Sequence, residues 1–226
     1  MYSKYIKRVI DFTLSLLALI VLSPILLILL IVTAIKMKGN PFFTQLRPGK
    51  DEKIFKLIKL RTMTFEIDEN GKLLPDEKRL TAYGKFLRST SLDELPELIN
   101  IIKGDMAIIG PRPQLVCDMV FMTETQRLRH TVRPGLSGLA QISGRNAVSW
   151  ESKLQFDLDY IENITFFEDT KIILLTFLKV FKRDGISAEG MDTAEDLGDY
   201  LLNKGEITKE EYSKLHSEAR KLMGAV

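Results

Sequence analysis

The stretch that decides the fold runs from Phe12 to Ile35, FTLSLLALIVLSPILLILLIVTAI, 24 residues without a charge. As a straight helix it would measure ~36 Å, which exceeds the ~30 Å hydrocarbon core of a bilayer. Buried helices of soluble proteins are usually shorter or amphipathic, so we expect this segment to enter a membrane. The run is also longer than the ~7–15 apolar residues of a cleaved signal peptide.

Basic residues lie on both sides of this segment: Lys4, Lys7, Arg8, Lys36 and Lys38. Since basic residues favour the cytoplasmic side, both flanks favour the same side of the membrane. At its centre Pro24 removes a backbone hydrogen bond, and Ser23 can satisfy the carbonyl that is freed. Together these features predict a bent, re-entrant helix that enters one leaflet and returns; a kinked single-pass anchor is the alternative.

The composition of the chain excludes several classes of protein. There are 32 Lys and Arg against 30 Asp and Glu in 226 residues, and a net charge of +2 gives no argument for nucleic acid binding. The single cysteine, Cys117, excludes a disulfide framework and a cysteine zinc cluster, and two histidines argue against a histidine metal site. The charge content excludes a polytopic membrane protein.

Local patterns divide the chain into residues 1–36 (membrane helix and flanks), 37–189 (catalytic domain) and 190–226 (helical appendage). Residues 41–63 predict a β-hairpin that turns at Pro48-Gly49. Residues 96–103 predict a short amphipathic helix that begins at Pro96 and ends at Gly104. The predicted fold class is therefore α+β, mainly helical, with a re-entrant helix, a β-hairpin and amphipathic interfacial helices around a small catalytic domain.

Two later segments have open interpretations. Residues 169–183 are strongly apolar with interleaved lysines, as in a core helix with one solvated edge or a helix on an anionic membrane surface. Residues 190–226 contain eight acidic and five basic residues. Thr208 to Glu211 forms a capping box that predicts a helix reaching about Met223. We expect this appendage to serve self-association or docking, without chemistry.

The most informative chemical stretch is Ser91 to Pro96, SLDELP. Ser91-x-x-Glu94 fits an ordinary capping box, but Pro96 would then fall inside the helix, where it is costly. If Pro96 opens the helix instead, Asp93 and Glu94 lie just before its N-terminus. In either case the helix dipole favours the ionised form of both carboxylates. A carboxylate must be ionised to accept a phosphoryl group or to bind magnesium.

Cations near turns could bind phosphate: Lys59, Arg61, Arg88, Arg112 and Arg145. Arg112 lies between Pro111 and Pro113, so its backbone is restrained, and a rigid arginine fork suits bidentate phosphate recognition. The glycine-rich stretch 133–145 could present backbone amides to a nucleotide, although it matches neither a Walker nor a dinucleotide motif.

Five motifs in order resemble one family. They are Lys59 to Met63 (KLRTM), Ser91 to Pro96 (SLDELP), Lys103 to Met106 (KGDM), Ile109 to Pro113 (IGPRP) and Arg133 to Arg145 (RPGLSGLAQISGR). In combination they closely resemble the monotopic phosphoglycosyl transferases, the bacterial sugar transferases, and the small PglC-like members above all. The resemblance extends to about residue 188 and leaves the appendage outside it.

The resemblance implies an enzyme that transfers a sugar-1-phosphate from a UDP-sugar to polyprenyl (undecaprenyl) phosphate, releases UMP, and opens the membrane stage of bacterial glycoconjugate assembly. It implies that Asp93 forms a covalent phosphosugar, that Glu94 binds Mg²⁺, and that Ser23 and Pro24 break the membrane helix. Substrate-binding positions are then Lys59, Arg88, Arg112, Gln141, Arg145 and Asp157. It places the protein in one leaflet of the inner membrane, at the cytoplasmic face.

Other interpretations stay open at this stage. A membrane-tethered scaffold without catalysis would use the acidic appendage for recruitment, with Asp93 and Glu94 as helix caps only. A glycosyl transferase that moves the sugar without phosphate would release UDP. A homodimer is possible, and an N-acetylated or diacetamido UDP-sugar is our expectation from the resemblance, with hexoses also open.

Overall fold

The computed structural model describes residues 1–144, 148–182 and 195–224. These ranges are mostly helical and contain a β-hairpin, as predicted, together with a second small sheet of two parallel strands that was not predicted. The helices are α1 (Lys7–Lys36), α2 (Asp76–Arg79), α3 (Ala82–Ser89), α4 (Glu97–Lys103), α5 (Val116–Met119), α6 (Glu124–Arg127), α7 (Leu139–Ser143), α8 (Trp150–Glu162), α9 (Phe166–Lys182), α10 (Leu197–Lys204) and α11 (Lys209–Gly224). The strands are β1 (Phe42–Pro48), β2 (Ile54–Leu60), β3 (Ala107–Ile109) and β4 (Gly135–Ser137).

The long apolar helix α1 runs through Pro24 without dividing into two helices. Pro24 lacks the N–H group that would donate to the carbonyl of Ile20, and Ser23 Oγ donates to that carbonyl at 2.7 Å. This is the compensation predicted from the sequence. Of the described residues, only the helical segment Tyr2–Lys36 is long and apolar enough to cross a bilayer, judged by length and composition.

One face of α1 is bound to the rest of the protein near both of its ends. Near the start, Arg8 donates to the carbonyls of Ile101 and Ile102 at 2.6 and 2.9 Å. Near the end, the Thr33 hydroxyl lies 3.0 Å from the Tyr83 hydroxyl. The opposite face exposes large aliphatic side chains along the whole helix, among them Val9, Leu17, Ile20, Val21, Ile28 and Ile35.

The hairpin of β1 and β2 is antiparallel, with Phe42 opposite Leu60 and Pro48 opposite Ile54. The chain turns directly after Pro48, and the Gly49 amide donates to the Lys53 carbonyl at 2.9 Å, which confirms the predicted hairpin. Helix α4 packs on the edge of β2 through Asn100. The Asn100 side chain accepts from the Ile58 amide at 3.1 Å and donates to the Lys56 carbonyl at 2.8 Å. The strand that carries Lys59 is therefore fixed beside α4.

The glycines of the motifs at 109–113 and 133–145 serve close backbone packing. Strands β3 and β4 pair in parallel, and the Gly110 amide donates to the Ser137 carbonyl while the Gly135 amide donates to the Pro111 carbonyl, both at 2.9 Å. A Cβ on Gly135 would lie 2.1 Å from the Gly110 nitrogen, so a larger residue cannot be accommodated. The Gly135 amide is thus used internally and does not face a nucleotide.

Helix α9 combines the two interpretations of residues 169–183. Ile172 and Asp169 are buried, so one face belongs to the core. Phe167, Leu174 and Phe177 are exposed on the remainder, an apolar surface of the kind that packs on a membrane. Residue 183 lies outside the described residues.

The appendage packs on the catalytic domain. Leu197 and Ala219 are buried in a cluster with Phe121, Trp150 and Leu154. The predicted capping box is confirmed, because the Thr208 hydroxyl accepts from the Glu211 amide at 3.2 Å and the Glu211 carboxylate accepts from the Thr208 amide at 2.9 Å. The boundary at 189–190 lies outside the described residues.

Polar contacts fix the position of α10. Asp118 in α5 accepts from the Leu197 amide with one oxygen and from the Leu115 amide with the other, both at 2.9 Å. Trp150 Nε1 donates to the Glu195 carbonyl at 3.1 Å. The appendage is therefore joined to α5, which follows Arg112 in the chain, and to the first residue of α8.

Replacing Gly198 with alanine should detach α10. A Cβ at this position would lie 2.6 Å from the Phe121 ring, so the helix must shift at a cost of about 1–3 kcal/mol. Thermal unfolding of the purified protein measures the loss. Gly224→Ala is the matched control, since nothing lies within 4 Å of a Cβ there. If G198A is as stable as the parent, α10 does not pack on Phe121 as described.

Candidate active site

The segment that carries Asp93 and Glu94 is a single turn between two helices. Ser91 has a left-handed backbone (φ 54°) and makes no capping bond through its side chain. Leu92–Glu94 forms a 3-10 turn, Pro96 follows, and α4 begins at Glu97. The capping-box interpretation is therefore wrong, and Pro96 precedes the helix so that both carboxylates lie at its N-terminal end.

Glu94 is bound by two cations through one oxygen. Lys59 Nζ lies 2.8 Å and Arg112 Nη2 3.2 Å from Glu94 Oε1. Burial disfavours the charged carboxylate, but Lys59 and Arg112 outweigh it and lower the pKa of Glu94 to about 2. Three of the residues singled out from the sequence thus meet at one atom, and Glu94 is ionised at any physiological pH.

Asp93 behaves differently from its neighbour. Its side chain is nearly buried, and burial together with the charge of Glu94 raises the pKa of Asp93, against the opposing charges of Lys59 and Arg88. Both carboxylates were expected to be ionised, but only Glu94 has a lowered pKa, and the cause is Lys59 and Arg112. A raised pKa disfavours the ionised form, so attack by Asp93 on a phosphorus atom requires its deprotonated state, in which it is the more basic of the two carboxylates.

A third carboxylate, Glu97, belongs to this cluster and was missed in the sequence. It is only 2% exposed, and its Oε1 lies 3.1 Å from Lys59 Nζ. Burial, reinforced by the charge of Glu94, raises the pKa of Glu97 to about 7 despite Lys59. The signal in the sequence is its spacing. Glu97 lies three residues after Glu94 and four residues after Asp93, and residues at these separations share one face of a helix.

The loop that carries Arg112 is braced by two other arginines. Arg129 Nη2 donates to the Arg112 carbonyl at 2.6 Å, and Arg47 Nη1 donates to the Pro113 carbonyl at 3.1 Å. Arg129 is in turn held by Asp157 Oδ2 at 2.6 and 2.9 Å, with both side chains almost fully buried. Asp157 therefore holds the side chain of Arg129, and Arg129 in turn holds the backbone of Arg112.

The remaining sequence-predicted residues lie as follows. Arg88 Nε donates to the Thr62 hydroxyl at 3.1 Å, close enough to Asp93 to act on its charge. Gln141 lies in α7 and donates weakly to the Leu136 carbonyl at 3.4 Å. Arg145 lies outside the described residues. Their binding of substrate stays a prediction.

The Asp93–Glu94 turn suits a metal ion that is completed by other ligands. Among the described residues, no group of three or more His, Cys, Asp or Glu side chains is arranged to hold a metal by itself. Glu94 is nevertheless an ionised hard-oxygen ligand, and Mg²⁺ commonly takes one or two carboxylates together with substrate phosphate oxygens. The residues present therefore fit Mg²⁺ bound together with a diphosphate.

Replacing Asp157 with asparagine should destabilise the protein strongly. Arg129 would remain charged and buried without its carboxylate, a change that costs about 3–5 kcal/mol. The free energy of unfolding in detergent measures this loss, and Glu162→Gln, on the exposed side of the same helix, is the control. An unfolding midpoint equal to that of E162Q would show that the buried pair does not hold this region.

The raised pKa of Glu97 predicts a pH dependence of stability. The folded protein keeps a proton on Glu97 up to pH about 7, whereas the unfolded chain releases it near the ordinary value of 4.5. Because the folded state binds more protons in this window, the free energy of unfolding should fall as pH rises through it. E97Q should lack this fall, as measured by thermal unfolding in metal-free buffer. A constant difference between E97Q and the parent across the window would contradict the assignment.

Residues 2–183 match the bacterial sugar transferase family. The chain is 47% identical over 190 residues to the uncharacterised sugar transferase EpsL of Bacillus subtilis, covering 84% of this chain and 94% of the relative. It is 42% identical over 188 residues to the UDP-glucose:undecaprenyl-phosphate glucose-1-phosphate transferase of Klebsiella pneumoniae, covering 77% of this chain and 40% of that protein.

A third relative is the undecaprenyl-phosphate galactose phosphotransferase of Salmonella typhimurium, 34% identical over 200 residues, which cover 81% of this chain and 42% of the relative. The chain thus spans less than half the length of these two larger relatives, although it spans nearly all of EpsL. The five motifs lie inside the matched range, and the appendage lies outside it. The chain belongs to the bacterial sugar transferase family.

Proposed function

We propose that the protein transfers a sugar-1-phosphate from a UDP-sugar to polyprenyl phosphate, most simply undecaprenyl phosphate, and releases UMP. The observation that carries the proposal is the Asp93–Glu94 turn, in which one carboxylate is more basic than usual and its neighbour is held ionised by Lys59 and Arg112. Two of the relatives are named for the transfer of glucose-1-phosphate and of a galactose phosphate to undecaprenyl phosphate.

The proposed reaction has two displacements at one phosphorus atom. In the first, an Asp93 oxygen forms a bond to the sugar-bearing phosphorus and the bond to UMP breaks, so that UMP leaves with the bonding electrons. In the second, an oxygen of the lipid phosphate attacks the same phosphorus and Asp93 leaves as carboxylate. The product is a lipid-linked diphosphate sugar, and the enzyme returns to its starting state.

The surrounding cations have distinct tasks in this scheme. Arg112 is 44% exposed while its backbone is held by Arg129, so its guanidinium can contact the diphosphate from a fixed loop. Lys59 is buried and stabilises the ionised form of Glu94. Glu94 would hold Mg²⁺, which supplies charge neutralisation at the diphosphate when bound.

The packing of α1 supports a monotopic, re-entrant position, and we propose from the resemblance that the protein lies at the cytoplasmic face of the inner membrane. Arg8 and Thr33 both bond to the same domain, and they are separated by roughly 37 Å of helix, more than the ~30 Å hydrocarbon core. A straight crossing would carry the charged domain through the bilayer. A helix that lies within one leaflet instead leaves the domain at headgroup depth, where a lipid phosphate can meet a cytosolic nucleotide.

The structure does not separate the scaffold alternative from the proposed enzyme. The apolar faces of α10 and α11 pack on the catalytic domain around Phe121 and Trp150, while acidic residues such as Glu210 and Glu218 stay exposed. Deleting residues 190–226 is a poor test between the two functions, because it would expose the apolar cluster around Phe121 and Trp150 to solvent. Product analysis is the cleaner test, and it also distinguishes the proposed reaction from a transfer of sugar alone, which would release UDP and not UMP.

Replacing Asp93 with asparagine should abolish UMP release, because an amide cannot act as the nucleophile. In the parent, incubation with UDP-sugar alone should add the mass of one phosphosugar to the intact protein, and this adduct should map to Asp93. The control is Asp51→Asn, in the hairpin turn, where a left-handed backbone tolerates asparagine. UMP release by D93N near the parental rate, an adduct on another residue, or UDP as the product would each contradict the proposal.

The identity of the sugar is a separate question for the same assay. The resemblance predicts an N-acetylated or diacetamido sugar, whereas the relatives named above are described for glucose and galactose. A panel of UDP-sugars with undecaprenyl phosphate, read out as UMP, distinguishes these substrates. A homodimer stays a prediction.

A further inference from the structure

Lys153 of α8 is a half-buried cation that has no anion among the described residues. No carboxylate in the described part of the chain lies within salt-bridge distance of its Nζ. The nitrogen is not fully covered, so it stays within reach of solvent. Burial lowers the pKa of Lys153, and the charge of Arg112 lowers it further. A cation in this setting is stabilised by an anion that binds from outside.

The face of α8 that carries Lys153 packs against the loop of Arg112. A single atom, Arg129 Nη2, donates both to the Arg112 carbonyl and to Asp157 Oδ2, each at 2.6 Å. The carboxylate of Asp157 and the backbone of Arg112 are therefore held close together. Lys153 precedes Asp157 by four residues, and residues at this spacing are neighbours on one face of a helix. The effect of the Arg112 charge on Lys153 agrees with this placement.

Two neighbours position the ammonium group of Lys153 without neutralising it. Its Nζ lies 5.4 Å from the centroid of the ring of Trp150, the first residue of α8. This cation–π contact orients the ammonium group and leaves its charge in place. The charge of Asp118 also acts on Lys153, but both oxygens of that carboxylate already accept from backbone amides.

The chemistry of this pair of cations favours a diphosphate. Arg112 is 44% exposed, and its one carboxylate contact, Glu94, is shared with Lys59, so the positive charge here exceeds the negative. A diphosphate has oxygens on two phosphorus atoms, which a guanidinium fork and an ammonium group can contact together.

The position of Lys153 favours a soluble ligand over a lipid. The groups that act on Lys153 lie in α5, in α8 and in the loop of Arg112, all outside the membrane helix α1. A nucleotide diffuses to such a position from water, whereas the phosphate of a lipid is confined to headgroup depth.

We infer that Lys153 binds the diphosphate of the nucleotide sugar together with Arg112. The inference rests on the proposed function, because it adds a residue to the binding site for the UDP-sugar. Helix α8 then has two tasks: Asp157 supports the backbone of Arg112 through Arg129, and Lys153 contacts the substrate directly.

The test measures the binding of UDP to the full chain in detergent by isothermal titration calorimetry, for the parent, K153Q, K153R and the control K214Q. K214Q removes an exposed positive charge from α11. K153Q should weaken UDP binding about tenfold, which corresponds to the loss of one hydrogen bond between charged groups. K153R keeps the charge and should bind UDP more tightly than K153Q. In turnover, K153Q should raise the KM for the UDP-sugar by a similar factor and leave the KM for undecaprenyl phosphate unchanged.

The binding measurement needs no turnover, so it separates this inference from the proposed reaction. If K153Q binds UDP more weakly than the parent while the parent releases no UMP from a UDP-sugar, the site stands and the reaction fails. A purely structural role would lower the Tm of K153Q without changing its Kd for UDP, and it would overturn the inference. A parent that binds no UDP, a raised KM for undecaprenyl phosphate alone, or an equal effect of K214Q would also overturn it. If K153Q does not fold, K153M, which keeps the apolar stem beside Trp150, carries both measurements.

Discussion

The site depends on one buried cation shared between two carboxylates. Lys59 Nζ lies 2.8 Å from Glu94 and 3.1 Å from Glu97, with little access to solvent. Burial alone would lower the pKa of Lys59, but the two carboxylates outweigh it and raise the pKa. Each of the three groups would be costly to bury alone, so their mutual contacts stabilise the packing of α4 and the preceding turn against β2.

Helix α4 transmits this constraint to the membrane helix. Its N-terminal end contributes Glu97 to the site, its middle is bound to β2 by Asn100, and its C-terminal carbonyls are capped from outside. Arg8 of α1 donates to the carbonyls of Ile101 and Ile102, and Arg133 donates to the Gly104 carbonyl at 2.7 Å. Cations at this end of a helix are favoured by its dipole. The position of α1 is thus coupled to the position of the carboxylates through one short helix.

The parts of this arrangement that the sequence predicts are the local ones. The hairpin turn at Pro48, the helix start after Pro96, the appendage capping box and the compensation of Pro24 by Ser23 all involve residues within a few positions of each other. The pairing of Arg129 with Asp157 joins residues 28 positions apart, and Lys153 gives no local sign that it lies near Arg112. Such contacts follow from tertiary packing, which a single sequence does not display. Glu97 is the exception, because its helical spacing from Asp93 is a local feature of the sequence.

The appendage packs on elements that also hold the loop of Arg112. Asp118 links the Leu197 amide of α10 to the Leu115 amide, two residues after Pro113. Trp150 joins the same appendage to the start of α8, the helix from which Asp157 holds Arg129. Both connections lead back to the backbone of Arg112, the most exposed cation of the site. The membrane helix therefore fixes the carboxylates, while the appendage braces the loop that would hold the nucleotide diphosphate against them.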